Sequence, residues 1–202
     1  MNLLLLTPVH ASLPLPEFGG AFAARMAEKR HPGLHRASLA AWSLLACALG
    51  MLGLEALPEV AYGPWGKPCF LDSPLHFSLS HSGEFAAALL SDAPCGVDLE
   101  RVRPEVALRM RARCLSAREQ AEAMDFFECW TKKECIAKLD GRGMHTHPAD
   151  LDVLDPQYLH RFFCERIRDS AGREYVLSAL CDGAEALKLR WISPEVLAGI
   201  RK

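Results

Sequence analysis

Two short blocks near the middle of the chain hold residue types that do chemistry: Gly96-Val97-Asp98-Leu99-Glu100 and Trp130-Thr131-Lys132-Lys133-Glu134-Cys135-Ile136-Ala137-Lys138. Together they supply three carboxylates and a lysine, a pattern suited to magnesium-assisted chemistry on a pyrophosphate. Side chains alternate along a strand, so Asp98 and Glu100 share one face and Val97 and Leu99 the other. Two like charges held so close repel each other. A divalent cation is the common remedy, and an all-oxygen donor set favours magnesium or manganese over zinc. A strand with one solvated face gives the same D-x-E spacing, so this block alone does not decide. On a helix, positions 130, 134 and 138 fall on one stripe, which groups Trp130, Glu134 and Lys138. A Glu-to-Lys pair at i, i+4 is also an ordinary surface ion pair worth about 0.2–0.5 kcal/mol. The adjoining aromatic residues Phe126, Phe127 and Trp130 favour a helix held against the core over a solvated one.

The elements that must position these residues follow from pattern. Residues 1–6 read as a buried strand, since four leucines run together with no basic segment ahead of them and Pro8 follows. A Pro- and Gly-rich passage leads to a short helix over residues 21–30, which His31-Pro32-Gly33 breaks. Between residues 36 and 49, Leu39, Trp42, Leu45, Ala46 and Leu49 recur at steps of three and four, predicting a helix with one face on the core and a stop at Gly50. Residues 63–68 form a loop carrying Lys67. Residues 77–82, 85–90 and 96–102 read as strands, the last two joined by a turn at residues 91–94. Pro104 opens a helical region, and Ser116 with Glu119 fits a capping box that starts another. A further helix covers residues 126–139, and Gly141-Arg142-Gly143 ends it. Residues 161–168, 174–181 and 187–192 read as three strands in a meander. Helices then strands therefore occur twice, which predicts an α+β fold of two similar-sized subdomains, 1–102 and 103–202.

Composition bounds the function. The 202 residues are half hydrophobic, and 23 basic against 25 acidic side chains give a formal charge of −2, so no global field draws the chain to nucleic acid or to an anionic membrane. Any anionic ligand must then be held by local charges. The eight cysteines show no C-x-x-C pair, and with no secretory leader they fit reduced thiols packed as small hydrophobes in a cytoplasm. The stretch Phe77-Ser78-Leu79-Ser80-His81-Ser82 has no nucleophile elbow, and neither G-x-x-x-x-G-K nor G-x-G-x-x-G occurs. His145-Thr146-His147 offers two metal-type side chains without a third nearby, as a surface loop also would.

Taken in order, Gly66-Lys67-Pro68, the stretch from Phe77 to Ser82, the acidic block 96–100 and the block 130–138 resemble the 4′-phosphopantetheinyl transferase superfamily, in its monomeric surfactin-synthetase-activating type. The matched blocks run from about Arg36 to Gly143. The resemblance implies two α+β subdomains related by a pseudo-two-fold, with coenzyme A in the cleft between them. It implies transfer of the phosphopantetheine arm of coenzyme A to a serine of an acyl or peptidyl carrier protein, with release of adenosine 3′,5′-bisphosphate. Asp98, Glu100 and Glu134 are then the magnesium ligands, and Glu134, directly or through a water on the metal, takes the proton from the carrier serine. Lys138 stabilises charge on the phosphate being cleaved. Lys67, Ser80 and His81 contact the phosphates or the adenosine end, and Arg36 binds a phosphate ahead of the first long helix.

The chain departs from the family pattern where Ser78 replaces the usual asparagine, and Arg25, Lys29 and Arg30 do not align with the family's amino-terminal phosphate ligands. Two other functions use the same residues. A non-catalytic relative would bind coenzyme A or a carrier protein without turnover, against which the intact acids and Lys138 argue. A metal-dependent phosphodiesterase or nuclease would need a basic footprint that the balanced charge does not offer.

Overall fold

The computed structural model describes residues 1–9, 13–28, 31–141, 143 and 146–199. Within them ten strands and six α-helices make a mixed α+β fold. The strands are β1 (Asn2–Pro8), β2 (Gly19–Gly20), β3 (Glu59–Tyr62), β4 (Pro68–Phe70), β5 (His76–Ser82), β6 (Phe85–Ser91), β7 (Gly96–Arg101), β8 (Phe162–Arg168), β9 (Glu174–Leu180) and β10 (Leu189–Trp191). The helices are α1 (Phe22–Ala27), α2 (Pro32–Met51), α3 (Pro104–Cys114), α4 (Ala117–Ala121), α5 (Phe126–Asp140) and α6 (Pro194–Ala198).

Two sheets lie back to back between two long helices. One has the order β10-β1-β6-β5 and the other β7-β9-β8, while β2-β3-β4 forms a small separate sheet. Strand alternation builds the layers. Leu3 and Leu5 of β1 with Ala86, Ala88 and Leu90 of β6 face α2. Leu4, Leu6, Ala87 and Leu89 turn the other way and meet Val97, Leu99, Leu177 and Ala179 of the second sheet. Beyond that sheet, Val176 and Leu180 pack under α5 with Phe126, Phe127 and Ile136. Because β6 is covered on both faces, all seven of its residues are buried, and its run of alanines leaves room for close layers.

Helix α2 begins where the sequence shows a break. Pro32 takes the first helical position and the His31 ring accepts the Leu34 N–H, so His31-Pro32-Gly33 starts this helix. The helix passes through Gly50 to Met51, and every residue from 37 to 49 is buried. Its length and composition would suffice to cross a membrane, yet 72% of its apolar window is covered by the rest of the protein. That makes it the central helix of this core.

The expected strands 77–82, 85–90 and 96–102 are present, as are the capping box at Ser116 and Glu119 and the helix that ends at Gly141 in the left-handed conformation. The three-strand meander is corrected. β8 and β9 pair antiparallel, but the next neighbour of β9 is β7, and β10 instead joins β1 in parallel. Three residues of β10 carry too little alternation to fix a partner, whereas β7 offers β9 six paired positions from Gly96 to Arg101. The small sheet of β2, β3 and β4 has no counterpart among the expected strands: β2 falls in the Pro- and Gly-rich passage, and β3 and β4 flank the loop that carries Lys67, immediately ahead of β4.

Candidate functional site

Strand β7 and helix α5 meet without a side chain between them. A Cβ on Gly96 would overlap the carbonyl oxygen of Cys135 and sit 2.9 Å from its carbon, so glycine is required there by close approach. The Cys135 thiol donates to the Ser178 carbonyl at 3.2 Å, and the Thr131 and Ser178 hydroxyls lie 2.7 Å apart. These contacts hold α5 onto the sheet face that bears Asp98. Phe126 and Phe127 are buried beneath the helix and Trp130 stacks on Phe126, as the aromatic surface predicts.

Strands β5 and β7 belong to different sheets, and serine hydroxyls join them in place of a backbone ladder. Ser78 accepts the Val97 N–H at 3.0 Å, Ser80 the Leu99 N–H at 3.1 Å and Ser82 the Arg101 N–H at 3.1 Å. Ser80 then donates to Asp98 at 2.9 Å and Ser82 to Glu100 at 3.2 Å. Alternate serines on β5 thus fix both the backbone of β7 and its two acids. Ser78, which departs from the family pattern, carries one rung of this junction.

Lys138 enters from α5. Its ammonium donates to Asp98 at 2.7 Å, to the Val97 carbonyl at 2.8 Å and to the Leu79 carbonyl at 3.3 Å. Glu100 is held on its other oxygen by Arg103 at 2.5 Å. Among the described residues Glu134 has no such hydrogen-bonded cationic clamp, and its carboxyl is pushed up to about 7, by burial first and then by the negative charge of Asp98, with Lys138 opposing and Glu100 adding. Glu134 therefore feels the negative charge of both other acids. A cation of high charge and small radius suits that hard, all-oxygen set. As the side chains stand, no group of three among the described residues closes to metal-holding distance. Lys138 and Arg103 occupy the positive side of Asp98 and Glu100 instead.

A cavity of about 560 Å³ opens beside these acids, lined by Lys67, Ser80, His81, Asp98, Glu134 and Lys138 among others. The two motif blocks and the two upstream motifs therefore converge on one volume. Lys67 reaches across from the β3–β4 loop, donates to the Leu139 carbonyl at the end of α5 at 3.2 Å, and packs its chain against Gly141. Burial pulls its ammonium below the usual lysine value. His81 lies 3.3 Å from the Ser38 hydroxyl of α2. Two expected residues stand off the cavity wall: Arg36 is exposed on α2, and Glu100 lies behind Asp98 with Ser82 and Arg103.

Sequence reasoning missed much of the opposite wall. Arg25, Ser38, Trp42, Tyr62 and Trp65 also line the cavity, with the Arg25 guanidinium 5.6 Å from the Tyr62 ring centre. Tyr62 and Trp65 flanking the glycines and prolines of the Lys67 loop are the one signal that could have drawn attention to this wall. Lys29, Arg30 and His145 lie outside the described residues; His147 accepts the Ala149 N–H in a local turn. Among the described residues all eight cysteines are free, six of them buried.

Comparison with known proteins agrees with the motifs. Residues 94–186 match the model of the 4′-phosphopantetheinyl transferase superfamily. The chain is 40% identical over 100 residues to the 4′-phosphopantetheinyl transferase AcpT of Escherichia coli (strain K12), covering 44% of this chain and 51% of that protein. It is 39% identical over 122 residues to AcpT of Salmonella typhi, covering 54% and 61% respectively. It is 35% identical over 89 residues to the 4′-phosphopantetheinyl transferase Sfp of Bacillus subtilis (strain 168), covering 40% of each. The resemblance seen in the motifs is thus borne out over this stretch, and the matched regions span about half the length of the relatives.

Proposed function

We propose that this protein transfers the 4′-phosphopantetheine group of coenzyme A to a serine of an acyl or peptidyl carrier protein, with magnesium. The observation that carries the reading is the convergence of Lys67, Ser80, His81, Asp98, Glu134 and Lys138 on one cavity, the last three from within the stretch that matches the transferase superfamily. Asp98, Glu100 and Glu134 would hold the metal, which when bound supplies positive charge against the pyrophosphate.

The chain's own residues account for the rest. Glu134, on the cavity wall with Asp98 and Lys138, suits the role of base toward the carrier serine hydroxyl. Lys138 already spans β5, β7 and Asp98, so a small movement brings its charge onto a phosphate oxygen in the cavity. Lys67 and His81, with Arg36 as a further cation, would bind the phosphates and the adenosine end. The proton leaves the serine oxygen for Glu134 as that oxygen forms its bond to phosphorus, and the departing adenosine 3′,5′-bisphosphate takes the electrons of the broken pyrophosphate bond.

The same reading makes residues 1–102 and 103–202 two subdomains related by a pseudo-two-fold, with the cavity as the cleft between them. The layered order of α2, sheet, sheet and α5 supports it, and the strands β7 and β10 interlock the two parts across that boundary. One chain would then supply the whole site and work as a monomer. Eight free thiols suit a cytoplasmic protein.

Incubation with magnesium, coenzyme A and an apo carrier protein, followed by mass spectrometry of the carrier, tests the reading. A gain of one phosphopantetheine is expected. Tight coenzyme A binding with no gain would mark a non-catalytic binder, and hydrolysis of coenzyme A without carrier a hydrolase; either overturns the proposal.

A further inference from the structure

One buried charge pair lies outside the catalytic arrangement just described. Lys133 is 2% exposed and Glu119 is fully buried, and their charged groups are 2.7 Å apart. Each also has backbone partners. The Lys133 ammonium donates to the carbonyls of Pro148, at 2.9 Å, and Leu151. The Glu119 carboxylate accepts the Ser116 N–H at 2.8 Å on one oxygen and the Val153 N–H at 3.0 Å on the other. A single pair therefore ties three pieces of chain: the start of α4, the middle of α5 and the segment 148–153.

Lys133 precedes Glu134 on α5, about 100° around the helix, so the two side chains point in different directions. One is pinned into the wall of the fold, the other faces the cavity. Pinning Lys133 to fixed carbonyls fixes the rotation of α5 about its axis, and that rotation sets where Glu134 and Lys138 stand relative to Asp98. The far end of the helix is set as well, since the chain leaves α5 at Gly141, lines the cavity with Gly143, and is caught again at Pro148 by Lys133.

We infer that Lys133 and Glu119 are positioning residues for the transfer reaction, holding α5 at the rotation that keeps Glu134 and Lys138 aligned with Asp98. This rests on the proposed function. A neutral pair separates positioning from folding. In K133M/E119Q no buried charge is left uncompensated, and the carboxamide introduced at position 119 still accepts one backbone N–H and can donate toward the 148–151 carbonyls. With active wild type as reference, the double variant is expected to unfold cooperatively and to keep KM for coenzyme A within threefold, since the α2, β4 and β5 parts of the wall are untouched. Its kcat falls at least tenfold. Glu119→Asp is the second variant: it keeps the charge and the fold but shortens the strut by one methylene, and kcat falls at least fivefold at unchanged KM.

A double variant and Glu119→Asp that both keep wild-type kcat would overturn the inference. So would a loss confined to KM, or full recovery of kcat in K133M/E119Q relative to Lys133→Met alone, which would assign the pair to stability. Should K133M/E119Q fail to fold, Glu119→Asp decides by the same kcat criterion. If wild type itself shows no transfer to carrier, the proposed function fails and this inference falls with it.

Discussion

Two lysines five positions apart on α5 each meet a carboxylate at 2.7 Å, and their surroundings differ. Lys138 and Asp98 keep 27% and 10% of their side chains exposed, on the wall of a cavity. Lys133 and Glu119 keep 2% and none, with backbone groups completing both shells. Water and ligand can reach the first pair and can exchange its partners; the second is sealed. The same chemical contact thus serves a changeable site in one place and a fixed strut in the other, and burial decides which.

Substitutions at the open site separate chemistry from stability most sharply. Asp98→Ala and Glu134→Gln are each expected to lower carrier labelling by about a thousandfold or more while the circular dichroism spectrum stays that of the wild type. Full labelling by either variant would remove that residue from the reaction. At the sealed pair the order reverses. Lys133→Met strands the fully buried Glu119 charge and is expected to cost about 3–5 kcal/mol of unfolding free energy in denaturant titration, more than Lys138→Met, whose Asp98 partner keeps the Ser80 hydroxyl and a cavity open to water. Equal losses would dissolve the distinction.

Packing of the two blocks gives an intermediate effect. Gly96→Ala pushes β7 and α5 apart and is expected to cost about 1–3 kcal/mol, with a lower melting temperature and weaker labelling together. A neutral outcome would mean that α5 does not rest on β7 as described.

Glu134 links the open site to pH. Its carboxyl binds a proton more tightly in the folded chain, at about 7, than at the ordinary value of 4.5. The folded state therefore holds more protons between those values, and the stability of metal-free protein declines as pH rises from about 4.5 to 7, then levels. Glu134→Gln should remove that decline and be more stable than wild type by about 3 kcal/mol at about pH 8, with no difference near pH ~4. Parallel curves at all pH values would refute the raised value that burial and the neighbouring acids give Glu134. Smallest is Ser82→Ala, which removes one rung between β5 and Glu100 and should cost about 1 kcal/mol.

What was legible in the sequence follows from the range of the interactions. Strand alternation placed Asp98 opposite Val97 and Leu99, and helical spacing with three aromatics placed Glu134 and Lys138 inward; both patterns are local. Ser116 with Glu119 was readable as a helix cap for the same reason. The partnership of that Glu119 with Lys133 was not, because it depends on how α4 and α5 cross. β10 pairs with β1 across nearly the whole chain, and three residues hold no record of such a partner. The serine rungs at 78, 80 and 82 look like a polar strand face until β7 is laid beside them. Of the aromatic wall, Trp65 hides in a loop rich in glycine and proline and Tyr62 at the end of the short strand ahead of it.

The proposed transfer couples nucleotide release to carrier labelling, so the direct measurement is stoichiometry: adenosine 3′,5′-bisphosphate released against phosphopantetheine gained by the carrier, with magnesium, in one reaction. The account predicts a ratio of one that depends on the carrier serine. Nucleotide released without a carrier adduct, or an adduct formed equally well by Glu134→Gln, would contradict it.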